Sequence, residues 1–382
     1  MNILLFLYGF FFALPLTALN LIPGGMKVDD LILFLILSLL PLMMYKRDRR
    51  IVVSVFYLLF FIITLIFAFI SFYKGISNSD EFMGDSAFTV ISRIIQSLLI
   101  LTFLILIRSS AYTLQYFFKG FLIAATISLI IFFLYYISKI NFATFVSRGV
   151  YFAKDIFQYN EDLPFTVHVN TLGSFFLIAF FIIKSNFPRY GLYSYAFLAP
   201  AFLLISKGDI FAILVYFGYI FYKKNNINAL IIIIFFSLIV VLSPWLYEIY
   251  LSLSEYKVYT SGRNELYGAA VKSIISNPFG YGLGMQNNVL FSMTGIDFPA
   301  HNIFLSIGIE FGVFYLVFSI LFIIFGMYAC TLNNRVIFFS FLIIGMFGNA
   351  MYFYKFHSLA IGLCVFGLWH IPQTIYKNGN FT

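Results

Sequence analysis

The sequence is poor in cysteine and in charge. Its two cysteines, Cys330 and Cys364, sit in or beside apolar runs, with no CxxC pair and no histidine at ligand spacing. Neither a disulfide framework nor a metal site is expected. Charged residues make up only 10% of the 382 residues, which excludes a soluble globule, since a domain of this size needs far more polar surface to face water. There is no Walker-type glycine loop, no DxD pair suggesting a metal–nucleotide site and no stretch that reads as a soluble ATPase domain. No internal repeat is visible. The first apolar run lacks a basic leader and a convincing cleavage site, and reads as a retained helix rather than a removed signal.

Apolar residues are what the chain has in excess. It is 62% hydrophobic, with 53 Phe and a mean hydropathy of +0.98. Apolar runs of about 20 residues, enough to cross a ~30 Å hydrocarbon core as helix, recur along its length. They predict an all-α polytopic membrane protein, a single integral membrane domain over 1–382 with about twelve spans. These are 2–22, 29–45, 51–73, 89–107, 113–138, 167–183, 190–206, 210–222, 228–246, 302–328, 336–353 and 356–371.

Charge sets the orientation. With the N-terminus in the cytoplasm, the inside receives Lys46, Arg47, Arg49, Arg50, Arg108, Lys184, Arg189, Lys223, Lys224, Arg335 and Lys377 against a single acid, Asp48. The reverse topology would put those clusters outside, against the positive-inside rule. The formal charge of +8 is therefore a topology signal and no sign of nucleic-acid binding. On this topology the cytoplasmic connections are short, and the outer ones at 74–88, 139–166 and above all 247–301 hold most polar side chains. Long loops in compact bundles are usually functional or disordered. The outer face is the expected working face, and a substrate there must arrive already activated.

The loop 247–301 contains "SGRNELYGAAVKSIISNPFGYGLG". Leu266, Tyr267, Ala270, Val271, Ile274 and Ile275 recur at helical spacing, predicting an amphipathic helix over 262–276 at the outer membrane interface. Ser261 can cap its start, and Asn277-Pro278 stops it. Arg263 falls in the first turn, where free N–H groups and the helix dipole already favour an anion, and a guanidinium adds a bidentate phosphate clamp. Gly280, Gly282 and Gly284 follow at alternate positions and let backbone approach a ligand closely. A capped surface helix with a flexible loop is the competing reading. His301 and Asn302 open span ten, and Glu310 lies inside it, where a carboxylate costs about 2.5–3.5 kcal/mol and so faces protein or water. Arg93, His168 and Asn170 carry the same implication near the outer ends of spans four and six. Each alone also reads as a satisfied polar core residue. Together Arg93, Arg148, His168, Lys207, Arg263 and His301 place several cations toward one side, where they can converge on an anionic ligand.

At these residues the sequence resembles the O-antigen polymerase/ligase superfamily, polytopic envelope proteins that transfer polyprenyl-pyrophosphate-linked glycans. The matching pattern is Gly262-Arg263, Asn277-Pro278, Gly280/Gly282/Gly284, His301-Asn302 and Glu310-Phe311-Gly312. Arg148-Gly149 and His168-Val169-Asn170 resemble a second family element. "SKGD" at 206–209 resembles a Ser-Arg-Gly element, with Lys207 keeping the charge but losing the planar fork of arginine. The resemblance implies a GT-C-like helical bundle in a bacterial inner membrane, working on the periplasmic face without metal or other cofactor. It implies an undecaprenyl-pyrophosphate-linked glycan as donor, its pyrophosphate among Arg263 and Arg148 with Lys207 or Arg93, and a chain-length regulator as partner. His301 becomes the general base, with Asn302 and Glu310 orienting it or binding sugar. An O-antigen ligase acting on the same donor, and a flippase for the same lipid-linked unit, are the alternatives.

Overall fold

The structure, a computed structural model, describes residues 2–14, 28–45, 55–77, 87–108, 113–139, 157, 169–204, 206–225, 231, 263–297, 299–347 and 355–369. Every regular element among them is helical. A chain this apolar must satisfy its backbone within each segment wherever water is absent, and the helix does that. Three helices are long and apolar enough to cross a bilayer, within α3 (Val55–Ser77), α4 (Ala87–Arg108) and α5 (Leu114–Lys139). The predicted span 228–246 lies outside the described residues but for Ile231. The chain divides into two compact units, one of Met1–Val53, Leu99–Asp209 and Ser358–Thr382, the other of Ser54–Leu98 and Ile210–His357.

In the first unit, α1 (Asn2–Phe12) packs along α5, and α2 (Val28–Tyr45) packs on α1. The α1–α5 crossing is close because Gly9 lies against the Phe117 carbonyl and Gly120 against the Phe6 carbonyl. Small residues at a crossing let helices in an apolar medium gain van der Waals contact. Around it Tyr8, Phe12, Phe103, Phe117 and Phe121 form an aromatic core, with Tyr8 edge-on to Phe103 at 5.2 Å. The next helix, α6 (Val169–Asn186), is buried along most of its length. The chain then returns along α6 through 3-10 turns at Pro188–Tyr190 and Tyr193–Leu198 and a short helix, α7 (Ala199–Leu203). The predicted span 190–206 is thus split between 3-10 turns, a tighter and longer-rising helix, and the short α7, with Pro188 and Pro200 in the first turns of their elements. After it begins α8 (Lys207–Lys223).

In the second unit, α9 (Arg263–Ser276), α10 (Gln286–Thr294), α11 (Ile303–Phe311), α12 (Val313–Ala329) and α13 (Leu332–Phe347) follow in order. The last helix described, α14 (Lys355–Val365), belongs from Ser358 onward to the first unit. α12 runs antiparallel to α3: Phe60 stacks on Phe322 at 3.7 Å, and further along Tyr315 Oη donates to Thr64 Oγ1 at 3.1 Å. Arg335 closes the far end of α12 by donating from Nε to the Cys330 carbonyl and from Nη2 to the Tyr328 carbonyl.

The predicted span 302–328 is not one helix. It breaks at Gly312, whose φ of 90° and ψ of 173° end α11 and start α12. That conformation is essentially restricted to glycine, and hydropathy alone does not register it. The antiparallel pairing sets the level of the break. Tyr315 meets Thr64, and residues 71–75 of α3 meet the loop that seals the break. Both halves of this run touch α3, α12 along its length and α11 near its Ser77 end. α11 belongs with α9 and α10, in a small helical cap with its own core of Leu266, Ala269, Ala270, Met285, Val289, Leu290, Ala300 and Ile309.

Candidate functional site

The cap carries most of the residues singled out in the sequence. Its first helix starts at Arg263 and ends at Ser276, close to the range its periodicity predicts. Ser261 and Gly262 lie outside the described residues. The predicted apolar face is divided. Leu266 and Ala270 enter the cap core and Ile274 packs on it, while Val271 and Ile275 stay exposed. Past Ser276 the chain turns: the Gly280 N–H donates to the Asn277 carbonyl at 3.0 Å, and Asn277 Nδ2 donates back to the Gly280 carbonyl at 3.1 Å.

The turn leads into the glycine run, which seals the broken helix. The Tyr281 N–H donates to the Ile309 carbonyl (2.8 Å), the Gly282 N–H to the Glu310 carbonyl (3.1 Å), and the Val313 N–H to the Pro278 carbonyl (2.8 Å). These bonds take up backbone groups that a helix interruption would otherwise leave unpaired. The close approach that Gly280 and Gly282 permit is made to the chain's own backbone. A Cβ on Gly280 would stand 2.6 Å from the Glu310 oxygen and the Gly312 nitrogen, and one on Gly282 would overlap Gly75 of α3. Lys74 fastens the same loop by donating from Nζ to the Phe279 carbonyl at 2.9 Å, and the Leu283 N–H donates to the Ser71 carbonyl at 2.9 Å. Lys74 was not legible as part of the site; the only trace in the sequence is a Lys-Gly pair ending an apolar run.

At the start of α11, His301 is half-buried with φ at +50°. A left-handed backbone at a residue other than glycine is uncommon and collects where geometry serves a site. Asn302 is extended, and its Oδ1 accepts from the Phe304 and Leu305 N–H groups at 3.0 and 3.3 Å, capping α11. At the other end of this nine-residue helix, Glu310 is buried at 8% exposure, and its Oε1 accepts from the Gly284 N–H at 3.2 Å. Leu266, one turn after Arg263, and Ala300, just before His301, lie in the same core. So Arg263, Gly280, Gly282, His301, Asn302 and Glu310, spread over loop and helix in the sequence, belong to one folded cluster.

The remaining predicted residues are not brought into that cluster by anything described. Arg93 lies on α4 in the second unit, half-buried and engaged by other groups of the protein. In the first unit, Asn170 is the second residue of α6 and Lys207 the first of α8. Arg148 and His168 lie outside the described residues. Of the six residues expected to gather as cations, only Arg263 and His301 have their backbones in the cap.

Beside Lys207 stands a residue the sequence reading passed over. Asp209 is fully buried, accepting from Ser174 Oγ of α6 at 2.8 Å and from Ser206 Oγ. Gly173 leaves room for it, since a Cβ there would overlap the Asp209 carboxylate. The carboxylate ties the second turn of α6 to the first turn of α8, the turn that carries Lys207. Its signal was present as Ser-x-x-Asp at 206–209, the spacing of a capping box. No protein family, curated protein or solved structure matches the chain.

Proposed function

We propose that this chain is a membrane glycosyltransferase that polymerises undecaprenyl-pyrophosphate-linked oligosaccharide repeat units into an O-antigen-type polysaccharide on the periplasmic face of a bacterial inner membrane. One observation carries the reading. The Gly-x-Gly-x-Gly run, the His301-Asn302 helix start and the Glu310-Phe311-Gly312 helix end, which the family resemblance links only by sequence, are parts of one hydrogen-bonded unit whose core also holds the first turn of α9.

In this reading the start of α9 and the Arg263 guanidinium receive the pyrophosphate, with Arg148, Lys207 and Arg93 as further cations. His301 accepts the proton of an acceptor-sugar hydroxyl, whose oxygen attacks the anomeric carbon from the face opposite the pyrophosphate. As the new C–O bond forms, the bond to the pyrophosphate oxygen breaks and its electron pair leaves with the lipid diphosphate, inverting the anomeric centre. Negative charge grows on the leaving group, so fixed cations beside it stabilise the transition state. An unperturbed imidazole titrates near ~6.5, suited to taking a proton at neutral pH. Nothing in the scheme calls on a nucleotide or a metal.

A ligase would use the same donor and differ in its acceptor. The transporter reading draws support from one feature, the interrupted helix, since interrupted helices commonly form transporter binding sites. Here the freed backbone groups are taken by the protein's own loop, which favours the enzyme. The test is the glycan ladder of a strain lacking the gene and complemented with variants. Deletion should leave exported single units without a ladder. Arg263→Ala should lower turnover by about 10² or more, the scale of losing one transition-state donor, with partial recovery in Arg263→Lys. His301→Ala that still polymerises at the normal rate would remove the general-base role, and loss of export itself would favour the transporter.

A further inference from the structure

The joint at Gly312 lies within the length of a helix that is long and apolar enough to cross a bilayer, and not past its end. The apolar span in α3 runs from Tyr57 to Ser77. Tyr315, at the start of α12, packs its ring on Phe67 at 5.3 Å, about 15 Å short of Ser77 along the helix axis at 1.5 Å per residue. The glycine loop meets α3 at Ser71, Lys74 and Gly75, also inside the span. A lysine at that depth needs polar partners. Lys74 has them, donating from Nζ to the Phe279 and Gly280 carbonyls at 2.9 and 3.4 Å.

At this level the protein turns apolar side chains outward. α12 carries an exposed stripe of Phe314, Val317, Leu321 and Ile324 at helical spacing. Phe279 lies against the first of them at 5.4 Å and is itself 64% exposed. Just before it in the chain, Val271 and Ile275 stand one turn apart on α9, Ile275 at 74% exposure. The neighbouring edge of α9 is polar, with Glu265, Lys272 and Ser276 exposed. A helix with one edge in a protein core, one apolar and one polar fits a boundary between lipid and water. Exposed apolar surface of this kind marks a membrane or a protein contact, and the depth decides between them. α12 pairs along α3, so its outward stripe lies in hydrocarbon, and Phe279 touches that stripe. We propose that Val271, Ile275, Phe279 and Phe314 enter the lipid layer at the Ser77 end of α3, leaving Glu265 and Lys272 in water. The partner is the acyl chains of the bilayer, and the anchor takes in the loop and α12 as well as α9. The contact does not depend on the reaction assigned to the cap.

The test uses the full-length chain reconstituted in vesicles of phosphatidylcholine and phosphatidylglycerol. A nitroxide is attached to single cysteines at exposed positions, the native cysteines being buried. Ile275→Cys and Phe279→Cys report the contact, Leu321→Cys the lipid, and Glu265→Cys and Lys272→Cys the water. Collision with oxygen, which concentrates in hydrocarbon, is compared with collision with a water-soluble nickel chelate. The oxygen-to-nickel ratio at 275 and 279 should match that at 321 and exceed that at 265 and 272 severalfold. A ratio at either position equal to the water references overturns the contact. Low collision with both reagents does so too, since it marks cover by a second copy or another protein. Phe279→Trp keeps a ring against Phe314 and gives a reading without a label. Brominated phosphatidylcholine should quench its added fluorescence more than acrylamide does, and the reverse order counts against the proposal.

Discussion

Replacing Gly312 with alanine tests whether the cap is held by the joint at the broken helix. Two costs add at this position. With φ at 90° and ψ at 173°, a side chain is forced into a region essentially reserved for glycine, at about 1–3 kcal/mol. The new Cβ would also overlap the Pro278 carbonyl and stand 2.6 Å from the Phe279 carbonyl carbon and 2.7 Å from the Gly280 nitrogen, all backbone atoms. Moving that loop away gives up the bonds of Tyr281, Gly282 and Val313 to Ile309, Glu310 and Pro278, at about 1 kcal/mol each. The total is about 4–6 kcal/mol, roughly a thousandfold or more in the opening equilibrium of the cap. Amide hydrogen exchange in detergent should show it as lost protection across 279–285 and 309–316, with α5 unchanged. Two control glycines separate the costs. Gly295 has φ at 68° but open space around its Cβ position, so Gly295→Ala should cost only about 1–2 kcal/mol. Gly268 lies inside α9 with open space around its Cβ position, and Gly268→Ala should gain about 0.5–1 kcal/mol of helix stability. If Gly312→Ala exchanges no faster than Gly295→Ala, the joint does not hold the cap.

Two further outcomes follow. Asp209→Ala leaves the Ser174 and Ser206 hydroxyls without their acceptor and should cost about 3 kcal/mol or more. Gly173→Ala should do comparable harm by displacing the carboxylate; a melting temperature within a degree of wild type for either would show that the clamp is idle. Both native cysteines are buried, and burial pushes the Cys330 thiol up to about 11 against the lowering effect of Arg335. The thiol therefore stays protonated at pH 7 and gains reactivity only as pH climbs toward that value, so maleimide labelling of the wild type should be slow. Single cysteines introduced at 255–300 are then readable in intact cells. Labelling of those positions only from the cytosolic side would defeat the periplasmic assignment.

The sequence exposed some of this structure clearly and some not at all. The range of α9 was readable because its apolar residues recur every three to four positions. What covers that face was not, since periodicity records which residues are apolar and says nothing of their partner. The cap core takes Leu266 and Ala270 and leaves Val271 and Ile275 outside. α10 went unread inside a long polar loop, although a glycine now seen in the left-handed conformation follows its last residue, a common C-terminal signal. The break at Gly312 hides in an apolar run that hydropathy scores as continuous; Glu310, two residues earlier, was the clue that the run is no ordinary span. The glycine run was recognised as a place of close approach, and backbone took the place expected for ligand. Asp209 was missed because its partner Ser174 lies on another helix, and only the local half of the clamp is written in the sequence.

The joint at Gly312 also bears on how the protein is made. The loop at 278–284 leaves the ribosome about thirty residues before the segment that receives its hydrogen bonds, and the edge of α3 that it also grips has been made long before. Synthesis proceeds from the N-terminus, about 5–20 residues each second, so for some seconds α9 and α10 exist without the element that closes them. During that interval Leu266 and Leu290 have no complete core to enter, and the loop's amides have only water or α3. The cap must therefore wait, open, until residues 309–313 have been made and folded against the loop, so a later stretch of chain completes an earlier-born part.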